Sequence, residues 1–335
     1  MKKEDAVKAD AVKEDAVKED VVKEDAAKAD EGKESSVKAD AAEEYLLKNK
    51  DLTVRFTKKG GSLTSIKDAD EIEYLWQGDA AYWSGQAPVL FPICGSLRGD
   101  QARIGGDKIT RMSRHGIVRK KDFICKEKTE NSILFSIGSN AEMEAQFPYP
   151  FRLDIRYLLD GRRVITEYTV VNRGNELMPF QIGAHPGFNC PLFPEEKYED
   201  YQLVFPGKES CSVPMPITES GLIDMSQRTE FLRQQDRLNL SHALFEKDAV
   251  ILDELCARQV TLCGKKHGKG VRLDFQDFPY LILWSSANHG PFIALEPWIG
   301  LSTCSDEGDV FEEKRNIQFA ESGEEKKYSF VINIL

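Results

Sequence analysis

Beyond residue 50 the chain alternates polar and apolar side chains with a period of two. That spacing puts every second residue on one face of a strand. Arg152-Leu153-Asp154-Ile155-Arg156-Tyr157 alternates without interruption, and Arg163–Val170 does so with one break. Val271–Phe275 and Tyr328–Ile332 repeat the theme. Turn formers separate such runs: Lys59-Gly60-Gly61-Ser62, Asp160-Gly161 and Asn172-Arg173-Gly174-Asn175. Asp160-Gly161, set between two alternating runs, predicts a tight hairpin. Gly264-Lys-Lys-His-Gly-Lys-Gly270 predicts a basic hairpin tip. It lacks the Lys-Ser/Thr ending and the strand–helix setting of a phosphate-binding loop. Helical spacing is rare, its main candidate being Met225–Gln235. Many short strands without strand–helix alternation predict an all-β fold, a large antiparallel β-sandwich with few short helices.

The first 42 residues follow a different rule. Residues 3–42 are eight pentapeptides of the type Lys-Glu-Asp-Ala-Val and carry −5 of the chain's net −11. A repeat of five advances about 140° around a helix, so its Ala and Val positions never gather into one stripe. With no face to bury, this segment reads as a disordered tail or an isolated, solvated helix. A spacer or an arm for an unknown partner is the functional alternative. The organisation expected is therefore a charged repeat tail over 1–42 and a sandwich domain over 43–335, long enough for one large sandwich.

Charge and cysteine usage remove several classes. A net charge of −11 argues against a nucleic-acid or anionic-membrane surface. No apolar run reaches the length of a membrane span, and the N-terminus lacks the apolar core of a secretory signal. Seven scattered cysteines with no Cys-x-x-Cys argue against a disulfide framework or structural zinc. Asp306-Glu-Gly-Asp309 misses the spacing of a calcium loop and reads as a solvated turn. No metal site is expected, and a cytoplasmic setting is the simplest.

Chemistry concentrates in three short motifs. His115 lies in Arg114-His-Gly-Ile-Val-Arg119, His185 in Gly183-Ala-His-Pro-Gly-Phe-Asn189, and Glu296 in Leu295-Glu-Pro-Trp-Ile-Gly300. Pro186 biases His185 toward an extended backbone, and Gly183 and Gly187 allow close approach on either side. Glu296 ends an apolar strand beside Trp298; burial there would raise its pKa and suit it to act as a base near neutrality. The bland readings are a structural histidine at His185 and a solvated loop around His115. His289 reads as a turn residue, and His242 and His267 have no supporting motif.

Taken in order, these motifs resemble the aldose 1-epimerase (galactose mutarotase-like) family, and most closely the branch encoded with lactose genes in bacteria. Pro88-Val-Leu-Phe-Pro-Ile-Cys-Gly95, Phe147-Pro-Tyr-Pro-Phe151 and Tyr280-Leu-Ile-Leu-Trp284 add to the likeness, which runs from about Leu52 to the C-terminus. The resemblance implies the family's β-supersandwich, with a sugar bound on the concave face of one sheet. It implies an aldohexose mutarotase needing neither metal nor cofactor. Glu296 would be the general base at the anomeric hydroxyl, His185 the general acid at the ring oxygen, and His115 a second histidine holding the sugar. Much of this branch has arginine directly after the glycine of Phe-Pro-Ile-x-Gly; here Ser96 stands there, and Arg98 is the first arginine. Arg98, Arg119, Trp284 and Trp298 are the expected substrate contacts, although both tryptophans also read as packing residues. The alternatives are a hexose 6-phosphate 1-epimerase, with Arg98, Arg103, Arg114 and Arg119 as candidate phosphate contacts, and a non-catalytic sugar-binding or regulatory protein. Either a monomer or a homodimer fits.

Overall fold

The computed structural model describes residues 45–335; the pentapeptide repeat, and the expectations placed on it, lie outside the described residues. Two antiparallel sheets carry the architecture. The larger has nine strands, in the order Leu222–Asn239, Tyr201–Ile217, Gln259–Gly264, Gly270–Asp274, Glu325–Ile334, Arg163–Asn172, Phe151–Asp160, Ser132–Gly138, Ile124–Lys128. The smaller centres on Phe292–Trp298, which pairs with Tyr280–Trp284 on one side and with Gly183–Ala184 and Gly187–Asn189 on the other. Val250–Leu252 and Val89–Leu90 complete that sheet. A three-stranded meander, Tyr45–Lys48, Leu52–Thr57 and Ser62–Asp68, packs its Phe56 ring 4.7 Å from Tyr157 of the large sheet.

Alternation assigns each residue to a layer. Leu153, Ile155 and Tyr157 of the large sheet share one continuous core with Leu281, Leu283, Ile293 and Leu295 of the small one. Each such side chain contributes on the order of 1.5–3 kcal/mol by leaving water. The intervening residues Ile282 and Trp298 point the other way and form a separate apolar cluster with Leu90, Cys94, Ile251 and Ile223. Glu296 pairs with Ile282 in register, two residues before Trp298, and so shares that second face. A slip of one residue would send it into the core instead. All seven residues of Phe292–Trp298 are buried, as befits a central strand covered on both faces.

The turn chemistry agrees with the sequence. Asp160 pairs with Arg163 across a two-residue turn in which Gly161 takes φ +56. Gly264 and Gly270 bound the tip of the Gln259–Gly264/Gly270–Asp274 hairpin. Helix is confined to Ala141–Glu144, capped by the Asn140 side chain, and four 3-10 turns among the described residues.

Met225–Gln235 is not helical. It lies within Leu222–Asn239, the edge strand of the large sheet, paired along most of its length with Tyr201–Ile217. Four register shifts interrupt that pairing, so its few buried residues, Ile223, Leu232 and Leu238, lose strict alternation. Cross-strand pairing overrode a local preference for helix: Arg228 grips Asp253 with two bonds of 2.8 and 3.0 Å and bonds Ser212 on the partner strand.

Candidate active site

The second face of the small sheet is the floor of a cavity of about 200 Å³. Glu296 rises from the central strand, His185 from the residue after Gly183–Ala184, and His115 from a loop that crosses Phe91. That crossing is tight: a Cβ on Gly116 would lie 2.1 Å from the Phe91 carbonyl oxygen, and Gly116 holds φ +79. His115 itself takes φ +70, which swings its ring into the cavity.

Nε2 of His185 lies 3.3 Å from Oε2 of Glu296. Only 1% of Glu296 is exposed, and burial holds its carboxyl well above the usual carboxylate range. Burial likewise pushes the His185 imidazole down to about 3. Both effects disfavour the charged form of each partner. The Trp83 ring stacks on His185 at 4.8 Å, and Trp284 meets it edge-on at 5.6 Å. Two buried polar atoms here have no hydrogen-bond partner among the described residues: Nδ1 of His185 and Oε2 of Glu296. Such atoms are rare in a protein interior, and two on neighbouring residues of one cavity mark a place suited to a polar ligand.

His115 is fixed in a different way. Its Nδ1 accepts the Gly95 N–H at 3.2 Å, which leaves the ring proton on Nε2 as a donor. Burial, then the neighbouring His185, Arg114 and Arg119, keep it neutral by pushing its pKa well down.

Arg119, Trp284 and Trp298 line this cavity with the three acid–base groups. Arg98 does not. Its guanidinium bonds the carbonyls of Cys304 and Glu307 at 3.3 and 3.1 Å and pairs with Asp309 at 3.4 Å, which holds it on the outer turn. Beside Arg119 the cavity is lined by Arg114, whose Nε–H donates to Ser96 Oγ at 3.0 Å. The serine that departs from the expected arginine thus steers one in from elsewhere. Sequence reasoning also missed Trp83 and the tip of the long hairpin, Pro216, Gly221, Leu222 and Ile223, all of which line the cavity. Arg114 was legible beside His115; the hairpin tip was hidden by the helical reading of the strand it opens.

Comparison with known proteins places the chain in a family. The sequence pattern of the aldose 1-epimerase family matches residues 43–314. Plasmid and chromosomal LacX proteins of Lactococcus lactis subsp. lactis are each 52% identical over 294 residues, 86% of this chain and 98% of each relative. The structure of a galactose mutarotase related enzyme from Lactobacillus acidophilus superposes with a TM-score of 0.82 at 28% identity, covering 87% of this chain and 97% of that one. A galactose mutarotase-like protein from Lactobacillus casei ATCC 334 gives 0.80 at 31%, covering 87% and 100%. No helix among the described residues is long and apolar enough to cross a membrane. Family pattern and sandwich agree over most of the chain, and the protein belongs to the aldose 1-epimerase family.

Proposed function

We propose that the protein interconverts the α and β anomers of an aldohexose by opening and reclosing the sugar ring. Glu296 takes the proton of the anomeric hydroxyl while His185 delivers one to the ring oxygen. The bond from C1 to the ring oxygen breaks, leaving an open-chain aldehyde. Rotation about C1–C2 turns its other face, and closure returns both protons along the same path. The two oxygens involved share one carbon, so acid and base must be close neighbours. The observation that carries this reading is the 3.3 Å approach of His185 to Glu296, two cavity-lining residues that each keep an unpartnered polar atom.

The proton inventory supports it. An acid–imidazole pair and a carboxylate–imidazolium pair hold the same single proton, so a sugar needs only to shift it from Glu296 to His185. Burial opposes ionised Glu296, and the nearby Arg114 guanidinium works the other way, favouring the carboxylate. His115, a neutral donor through Nε2, suits a ring or hydroxyl oxygen. Ser96 does not argue for a site without turnover, because Arg114 brings a guanidinium into the same cavity.

Anomerisation of freshly dissolved α-glucose and α-galactose, followed by polarimetry or NMR, tests the reading. Acceleration over buffer is expected for at least one aldose. No acceleration for any of a panel of free and phosphorylated aldoses would remove it.

A further inference from the structure

We propose that Asn288 is a positioning residue for His185, acting through the loop that carries Trp83. The role rests on the mutarotase reading for its effect on rate, and on geometry alone for its effect on the imidazole.

His185 needs such help. An imidazole that passes a proton is usually held in place by a hydrogen bond at its second nitrogen. Here Nδ1 of His185 has no hydrogen-bond partner among the described residues. Its orientation falls to ring contacts: Trp83 stacked at 4.8 Å, Trp284 edge-on at 5.6 Å and His115 edge-on at 5.4 Å. Trp284 stands on a strand paired on both sides, and His115 is fixed by the Gly95 N–H. Trp83 has neither support. It belongs to a loop outside the strands, and Ala80, Ala81 and Tyr82 before it are exposed.

Asp79 shapes that loop from within. Its carbonyl accepts the N–H groups of Tyr82 and Trp83 at 3.0 and 2.9 Å, and its carboxylate takes the Ala81 N–H at 2.9 Å. These bonds set the form of the turn but not where it sits. Ties to other segments seat it. From the buried side, Trp76 Nε1–H donates to the Trp83 carbonyl at 2.7 Å. From the exposed side, Asn288 Nδ2–H donates to the Ala81 carbonyl at 2.7 Å, across 207 residues of sequence.

Asn288 is itself well anchored. It lies in the turn between Tyr280–Trp284 and Phe292–Trp298. Gly290 N–H donates to Ser286 Oγ at 3.1 Å, and His289 N–H to the Ser286 carbonyl at 3.1 Å. The His289 ring lies flat on His242 at 4.7 Å, and His242 on Tyr198 at 4.0 Å. Phe292, just past the turn, stacks on Trp83 at 5.4 Å. One turn therefore sets two of the rings around His185: Trp284 through the strand it ends, and Trp83 through the Asn288 amide. Asn288 is exposed, so removing its amide leaves the core intact.

The test uses the full chain, NMR of the His185 ring protons (assigned by their loss in His185→Gln) and anomerisation rates on the aldose turned over fastest. An indole stacked on the imidazole shifts those protons by its ring current. Asn288→Ala should move them toward their position in Trp83→Ala, and lower kcat about threefold with KM unchanged, within the worth of one hydrogen bond. Asn288→Asp keeps the size but offers the Ala81 carbonyl no donor, and should match the alanine variant. Added to Trp83→Ala, Asn288→Ala should cost nothing more. Unmoved His185 protons in both Asn288 variants, an undiminished kcat, or the same loss on the Trp83→Ala background would overturn the role. If no sugar is turned over, the mutarotase reading fails, and the proton shifts decide the positioning alone. Displaced in both variants they support it; unmoved they overturn it.

Discussion

The described residues contain two Glu–His pairs, and they differ in what surrounds them. Glu196 and His267 approach to 3.0 Å at the basic hairpin tip, closer than the 3.3 Å between Glu296 and His185. Yet the first pair is closed on itself. His267 Nδ1 accepts the Lys269 N–H at 2.9 Å, and the second oxygen of Glu196 takes the Tyr201 hydroxyl. Every polar atom is occupied, and the pair ties a hairpin to the sheet. The second pair leaves Nδ1 of His185 and Oε2 of Glu296 unpartnered beside a cavity. Proximity of acid and base is common in proteins; unspent hydrogen-bonding capacity in residues that line a cavity is what separates the proposed reactive pair from a fastening.

That contrast can be broken at either pair. Glu296→Gln should lower the anomerisation rate by about 10²- to 10⁴-fold, the worth of a positioned proton carrier. It should also raise the melting temperature at neutral pH, because an amide need neither take up a proton nor bury a charge on folding. A rate within tenfold of wild type, in a folded variant, would return Glu296 to the status of Glu196. Trp83→Ala removes the ring stacked on His185 and should cost about tenfold or more in rate through lost orientation. Unaltered kcat would show that the stack only fills space.

The pH dependence sharpens the comparison further. Glu296 has its folded-state pKa raised, so its contribution is undiminished below the ordinary carboxyl range and is lost as pH rises through the folded value. His185 is pushed down to about 3, so stability is lost as pH falls from the ordinary imidazole range toward that value. The stability advantage of Glu296→Gln, measured by denaturant titration, should therefore vanish in acid and grow with pH; a constant difference would contradict this. Ser96→Ala frees Arg114 from its tether and should raise KM about fivefold, the worth of one hydrogen bond, with kcat little changed. The smallest effect belongs to the other pair. His267→Ala should cost ~1 kcal/mol of stability by chemical denaturation and leave the rate untouched.

Much of this was visible before any coordinates. Alternation located the Phe151–Asp160 and Arg163–Asn172 strands and their turn, because both stand in a sheet with one face in the core. His185 and Glu296 stood out through their glycine, proline and tryptophan neighbours, which are the marks of a strand end opening onto a cavity. Trp83 gave no such signal: it sits in a loop, and its role depends on His185, which is distant in sequence. Arg98 was misjudged because backbone carbonyls and Asp309, far along the chain, claim its guanidinium. The long hairpin was misread because bulges erase the period on which the reading depends.

The central strand has a consequence for how such a protein can diversify. Leu295 and Pro297 flank Glu296 in sequence, and Leu295 belongs to the main core while Glu296 belongs to the cavity. Insertion or deletion in this strand would exchange the two sides at once, destroying chemistry and foundation together. The hairpin tip at residues 216–223 is under no such double duty. It touches the cavity through Pro216, Gly221, Leu222 and Ile223 while its arms run out to the sheet's edge. If the proposed function holds, new sugar preferences are cheapest to evolve, or to engineer, by rewriting that tip over an unaltered Glu296–His185 pair.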